Sequence, residues 1–314
     1  MVLVVSNDPS WWPLINVTRI ASYFVVASSA AVMYDWALTF AQEVELIWRQ
    51  RWSLMTFMYL GVRYLGLVYA VNSILFDTPT ISLTVVVSLV LCIIQDWTTI
   101  IVIAILGAIM IARLYAMYQG SRKVLILLIV VFLPVNVVCG VITVISIMNT
   151  SAEELILSGI HLCTIDFEGD VQLLNSIPWM LTAAWEILAL CLAAWIAVKH
   201  FRELRRHSTG GSIGDCFTVL MTTHVVYFVS AVAVSCFQLG YLSPALSASY
   251  SPEVMIYDGI IEIFVVVQMF VLGPRLILSV REYNAKLVAD SDAATAMTSI
   301  AFQERVHVAT SSSV

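Results

Sequence analysis

The chain has 314 residues, 61% of them hydrophobic and 11% charged, with a formal net charge of −6. Soluble domains carry about 25% charged residues, and a mean hydropathy of +0.94 leaves too little polar surface to coat a water-soluble globule of this size. That excludes a cytosolic enzyme, a disordered scaffold and a nucleic-acid-binding module, so the expected partner is the lipid bilayer and not a nucleic acid.

A hydrocarbon core about 30 Å thick takes roughly 20 helical residues at about 1.5 Å each. Seven apolar runs reach that length. In chain order they are Arg19–Phe40, Ser53–Phe76, a run ending at Tyr118, Val124–Met148, Ile177–Val198, Cys216–Leu239 and Val254–Val280. The third starts between Ile81 and Thr98 and is interrupted by Gln95, Asp96 and Trp97. One long tilted helix is the first reading, and a re-entrant piece over Ile81–Ile94 the alternative. Met1–Trp12 has no basic residue, and Pro9 and Pro13 break its apolar stretch, so the first run is expected to be a retained span and not a signal peptide. The expected fold is an all-α, receptor-like bundle of seven transmembrane helices. An extracellular N-terminus covers 1–18, the bundle with an amphipathic cytoplasmic helix 19–288, and a disordered Ser/Thr/Ala-rich tail 289–314.

The basic residues orient the bundle. Arg49, Arg51, Arg113, Arg122, Lys123, Lys199, Arg202, Arg205, Arg206, Arg275, Arg281, Lys286 and Arg305 all fall on one side of a seven-span arrangement, 13 of the 15 Lys and Arg. The remaining two are Arg19 at the start of a span and Arg63 inside one. The positive-inside rule then places the N-terminus outside and the C-terminus in the cytoplasm, most simply at the plasma membrane. Trp11, Trp12, Trp97 and Trp179 near outer ends, and Trp48, Trp52 and Trp195 near inner ends, form matching aromatic belts.

The N-terminal pattern is Tyr34-Asp35-Trp36-Ala37-Leu38-Thr39, Glu43, Ile47-Trp48-Arg49, Tyr59-Leu60 and Arg63-Tyr64. It resembles the domain of unknown function 6533 of fungal, mainly basidiomycete, seven-helix membrane proteins, over about residues 22–70. Arg113, Tyr115 and Tyr118, then Tyr227-Phe228, then Gly273-Pro274-Arg275-Leu276-Ile277-Leu278 are similar to later stretches of the same proteins. Thr223-His224 departs from a frequent Arg-Asp, so no charged role is carried over to the inner part of helix six. The resemblance implies a fold and a membrane location, with no activity attached.

An ionisable residue in mid-bilayer costs about 2.5–3.5 kcal/mol on insertion scales, so each needs a partner or a wet cavity. Asp35 lies in the inner half of helix one and Arg63 about halfway along helix two; the helices are joined by a short loop and a long Arg can reach inward, so an ion pair is expected, with headgroup contact the alternative. Glu186 and Glu262 lie about nine residues below the outer ends of helices five and seven, with Asp258 one turn above Glu262. Together they could floor an outward-facing cup that holds a ligand or cation, or each could bond a neighbouring helix. His224 reads as a packing residue. No three His converge within the spans, so neither a metal nor another cofactor is expected.

Of six Cys, only Cys92 and Cys163 face outward on this topology. A disulfide between them would tie the Asn149–Ser176 loop over the bundle mouth, with two free thiols the alternative. Asn16 and Asn149 begin Asn-x-Ser/Thr acceptors, both close to helix ends. The outer loop carries Glu153, Glu154, Asp166, Glu168 and Asp170 without a Lys or Arg. Its field favours cationic or neutral ligands. The inner face, with Arg113, Tyr115, Arg205, Arg206 and Arg275, would meet anionic lipid or a cytoplasmic signalling protein.

The seventh run has no Lys for a retinal Schiff base, and no phosphate loop, His-Glu-x-x-His or nucleophile elbow occurs, so no enzyme is expected. Two functions remain. One is a receptor-like sensor of an extracellular small molecule. The other is a small-solute, proton or cation transporter or channel using Glu186, Asp258 and Glu262.

Overall fold

The computed structural model describes residues 3–6, 8–50, 52–78, 84–118, 120–157, 160–167, 171–206, 227, 229–242, 252–279, 281–282 and 285. At 3–6, 150–157, 160–167, 171–175, 200–201, 203–206, 241–242 and 252 only the backbone is described.

Among the described residues, seven helices follow one another. They are α1 (Trp12–Glu43), α2 (Leu54–Asp77), α3 (Val85–Met117), α4 (Arg122–Met148), α5 (Val171–Arg206), the shorter α6 (Val229–Gln238) and α7 (Pro252–Val267). Among the described residues, six stretches are long and apolar enough to cross a membrane: Pro9–Trp48, Leu54–Asp77, Val85–Met117, Arg122–Met148, Ser176–Lys199 and Glu253–Ser279. Their outward faces are apolar. On α4, Ile126, Val130, Leu133, Val137 and Val141 form an exposed stripe at three- and four-residue spacing, where a water-facing helix would be polar. The chain is an integral multi-pass membrane protein whose outer surface meets lipid.

Short connections make successive helices antiparallel neighbours. α1 packs on α2 and on α7, α2 on α3, α3 on α4, and α4 on α5. Side-chain bonds from Ser230 to Gln268 of α7 and from Ser235 to Glu186 of α5 seat α6 between those two and close the ring. The end that holds the start of α1 is called the upper end below.

The spans outrun the apolar runs. α1 continues through a π turn, Val44–Trp48, so residues expected in a loop belong to the helix. α3 is one unbroken helix through Gln95, Asp96 and Trp97, the first of the two readings of that run. The bundle is all-helical, but strands lie outside it. β2 (Thr150–Leu157) and β3 (Ile160–Phe167) form an antiparallel hairpin with Thr150 opposite Phe167, and β1 (Leu3–Ser6) pairs parallel to β2 with Leu3 opposite Glu154. The stretch expected as an acidic loop is therefore a small three-stranded sheet at the upper end.

Local chemistry sets the helix ends. Asp8 accepts from the Ser10 backbone N–H at 2.9 Å to start the first turn, and this bond holds its carboxyl below the usual carboxylate value. Ser53 and Thr56 exchange side chain-to-backbone bonds in a capping box that opens α2. Gly120, at φ 76°, ends α3 by turning its N–H back to the Tyr115 carbonyl at 3.0 Å. Asn16 lies in the opening turns of α1, and Asn149 caps α4 with its amide bonded to the Ile145 carbonyl at 3.0 Å.

Hydrocarbon does not drive helices together, so close backbone approach must. Gly66, Gly107, Gly259 and Gly273 supply it, Gly107 and Gly259 most closely. A Cβ on Gly259 of α7 would stand 2.3 Å from the Phe24 ring of α1, and one on Gly107 of α3 would stand 2.2 Å from the Phe132 ring of α4. Each phenylalanine fills the notch a glycine leaves. Gly259→Ala should cost about 1–3 kcal/mol through overpacking. A thermal melt of the detergent-solubilised protein should show a midpoint several degrees lower for Gly259→Ala, while Gly140→Ala, which meets nothing within 4 Å, should leave it unchanged.

Candidate functional site

Two polar sites lie within the apolar bundle, one in each half. The lower one is a buried ion cluster. Asp35, Thr39 and Glu43 occur at i, i+4 and i+8, so they line one face of α1. Tyr59 and Arg63 present a matching pair on α2. The Arg63 side chain is 2% exposed, and Asp35 and Glu43 are 4% and 0% exposed. Arg63 Nη1 donates to Asp35 Oδ2 at 2.5 Å, and Nη2 donates to the Asp35 carbonyl at 3.1 Å and to Thr39 Oγ1. Nε faces Glu43 Oε2 at 3.6 Å, an ion contact too long for a hydrogen bond.

Glu43 is held by three further donors: Trp48 Nε1 at 3.0 Å and Tyr64 Oη at 3.1 Å to Oε1, and Tyr59 Oη at 3.4 Å to Oε2. The Trp48 bond spans five residues, the reach that the wider π turn provides. Arg275 enters from the continuation of α7, its Nε 2.5 Å from Asp35 Oδ1. Arg275, expected on the cytoplasmic face, is half-exposed and shares Asp35 with Arg63, because α7 packs directly on α1. One turn and a half further, Arg281 donates to the Leu46 carbonyl at 3.0 Å and to Thr56 Oγ1 at 2.7 Å, pinning the chain after α7 to the α1–α2 turn.

The upper site is a cavity of about 840 Å³ enclosed by α2 to α7. It reaches the upper helix ends at Ile147, Ser176 and Val254, and descends to Met110, Phe132, Tyr227, Gln268 and Met269. Glu186, Asp258 and Glu262, which the sequence grouped by depth, all line it, and Asp96 of α3 joins them. Ser235 donates to Glu186 Oε2, and Tyr69 Oη donates to Glu262 Oε1 at 3.1 Å. Among the described residues, no Lys, Arg or His lines the cavity. Its α2–α3 wall is stiffened by a polar ladder in which Asn72 Nδ2 donates to Gln95 Oε1 and Gln95 Nε2 to Ser73 Oγ, both at 2.6 Å. Gln268 stands in a π turn of α7 (Gln268–Leu272) and accepts from Ser230 at 2.9 Å.

The remaining expected residues are scattered. Cys92 lines the cavity, while Cys163 lies on β3 where only backbone is described, so the bridge falls outside the described residues; no disulfide forms among them. Arg113 borders a void of about 10 Å³ with Tyr227, Gly273 and Leu276. Tyr115 packs beside Gly120. The side chains of Arg205 and Arg206, His224, and the amphipathic stretch beyond residue 285 lie outside the described residues. Among the described residues no three His, Cys, Asp or Glu converge to hold a metal ion.

Residues 23–68 match the family of unknown function DUF6533, so the chain carries the segment that defines it. The match runs from the upper part of α1 to the middle of α2. It contains Asp35, Thr39, Glu43, Trp48, Tyr59, Arg63 and Tyr64, which is the ion cluster apart from Arg275. A search of curated proteins finds no match to the chain.

Removing one partner of a buried ion pair costs about 3–5 kcal/mol, and a half-exposed pair is worth about 1 kcal/mol or less. Asp35→Asn should therefore abolish most of the monodisperse protein recovered by size-exclusion chromatography, whereas Arg275→Gln should reduce it only slightly. Asp35→Asn combined with Arg63→Gln should recover much of the loss, since the fully buried cation is then gone and Arg275, half-exposed, can be hydrated.

Proposed function

We propose that the protein is a receptor-like sensor without enzymatic activity, a seven-helix plasma-membrane bundle that takes an extracellular small molecule into the upper cavity. The observation that carries this reading is the asymmetry between the halves. The upper half holds about 840 Å³ of space lined by acids and aromatic rings. The lower half, among the described residues, is filled by the ion cluster and by packed side chains such as Ile47, Tyr59 and Val62. The void of about 10 Å³ beside Arg113 has room for no more than about one water. A cup above a plug suits a molecule that binds and leaves by the same side.

Topology supports the same reading. The apolar run Cys216–Leu239 supplies a seventh crossing, of which α6 is the upper part. With seven crossings, the 13 clustered basic residues share the lower side, and positive-inside makes that side cytoplasmic. The cup then faces outward, and the lower basic face is left for anionic lipid or a cytoplasmic signalling protein.

A small-molecule panel tested by thermal shift on the purified protein examines this directly. A ligand at a hundred times its Kd should stabilise the fold by about 2.7 kcal/mol. A hit should lose its shift in Glu262→Gln; a hit retained unchanged in that variant would remove the acidic cup as the site. If the same hit is accumulated inside proteoliposomes down its gradient, the alternative of small-solute, proton or cation transport replaces the sensor.

A further inference from the structure

Resting on the assignment of the upper cavity as the ligand site, we propose that its ligand is an amphipathic organic cation: a protonated amine whose aromatic or aliphatic body also carries a hydrogen-bond acceptor. The charge comes from the lining. Asp96, Glu186 and Glu262 face a space that no basic side chain lines among the described residues, so an anion meets like charge there. Glu186 on α5 and Glu262 on α7 stand on different walls, and each is fixed through one oxygen by a hydroxyl donor, Ser235 or Tyr69. The other oxygen of each has no donor among the described residues and is left for a guest. A bare metal ion does not fit, because no three ligating side chains converge among the described residues. An ammonium group does, since carboxylates on two walls and the rings of Tyr69, Phe132 and Trp185 line the space it would enter.

The acceptor comes from an independent observation. Trp185 is 3% exposed and lines the cavity, and its Nε1 has no hydrogen-bond partner among the described residues. An indole N–H can only donate, and a buried donor without an acceptor is costly. The ring is not free to turn away. It lies against Phe132 with centroids 5.1 Å apart and planes at 45°, and Phe132 is itself lodged in the notch at Gly107. A carbonyl or ether oxygen on the guest would satisfy it. The rest of the wall is apolar, with Leu106, Met110, Ile142 and Val265, and a volume of about 840 Å³ suits a drug-sized molecule.

The test uses full-length protein in lipid nanodiscs, empty nanodiscs as blank, and three matched probes at pH 7. Diethylaminoethyl benzoate has the cation and the carbonyl, diethyl(phenylbutyl)amine has the cation alone, and ethylpentyl benzoate has the carbonyl alone. The amino ester should bind tightest, with the uncharged ester weaker by roughly tenfold or more, a charge-assisted bond being lost. Glu186→Gln and Glu262→Gln should each erase most of that gap. Trp185→Phe should remove the amino ester's roughly threefold to tenfold advantage over the phenylbutylamine and leave the phenylbutylamine's own affinity unchanged. The comparison of probes on wild-type protein stands even if a variant fails to fold. An uncharged ester that binds as tightly as the amino ester overturns the cation and leaves the cavity as a site. Equal weakening of both amines by Trp185→Phe overturns the acceptor. Binding of none of the three overturns the cavity assignment along with its ligand.

Discussion

A guanidinium that is 2% exposed inside a membrane span is the constraint around which one side of this molecule is arranged. Arg63 cannot be left without anions in hydrocarbon, and it cannot be relieved by water. Its partners must come from neighbouring helices at matching depth. α1 provides them on one stripe, with Asp35 in contact, Thr39 a turn below and Glu43 a further turn below. Each anion has its own remaining oxygens to satisfy. Arg275 takes the second oxygen of Asp35, which draws α7 onto α1, and Trp48, Tyr59 and Tyr64 take those of Glu43, which fixes the α1–α2 turn. The helix order α2–α1–α7 follows from meeting the bonding needs of one side chain.

The other side of the bundle solves the opposite problem. There Glu186 and Glu262 meet no base among the described residues. They are held by hydroxyls around open space, and the apolar lining keeps that space from collapsing into hydrogen bonds between helices. α7 runs through both regimes, lining the cavity with Asp258, Glu262 and Gln268 and closing the ion cluster with Arg275. Its π turn at Gln268–Leu272 lies at the boundary between them.

Hydropathy reads depth along a helix well, and the features that depend on depth alone were legible. The acids Glu186, Asp258 and Glu262 sit at the level their spacing from helix ends implied, and Asp35 and Arg63 meet because adjacent antiparallel helices put them at one level. Rotation about the helix axis is harder to read, because it depends on where partners lie. Asp96 looked like an interruption of an apolar run, whereas it turns into the cavity while its neighbour Gln95 turns to α2. Glu43 looked like loop because the apolar run stops at Phe40; a π turn carries the helix past it and buries it completely. The i, i+4, i+8 spacing of Asp35, Thr39 and Glu43 was a signal that it belonged with Arg63. The Arg275 contact joins residues 240 positions apart, and no local pattern announces it. The indole N–H of Trp185, without a partner among the described residues, is a property of packing alone.

The ion cluster has two cations, Arg63 and Arg275, and two carboxylates, Asp35 and Glu43. Its formal charges cancel. A voltage across the bilayer works on net charge moved through it, at about 2.3 kcal/mol per elementary charge per 100 mV for a full crossing. On a cancelling set it exerts a torque and almost no net force. The pairing that lets a guanidinium remain in hydrocarbon therefore also makes this junction of three helices electrically quiet, and a swing in membrane potential leaves it in place.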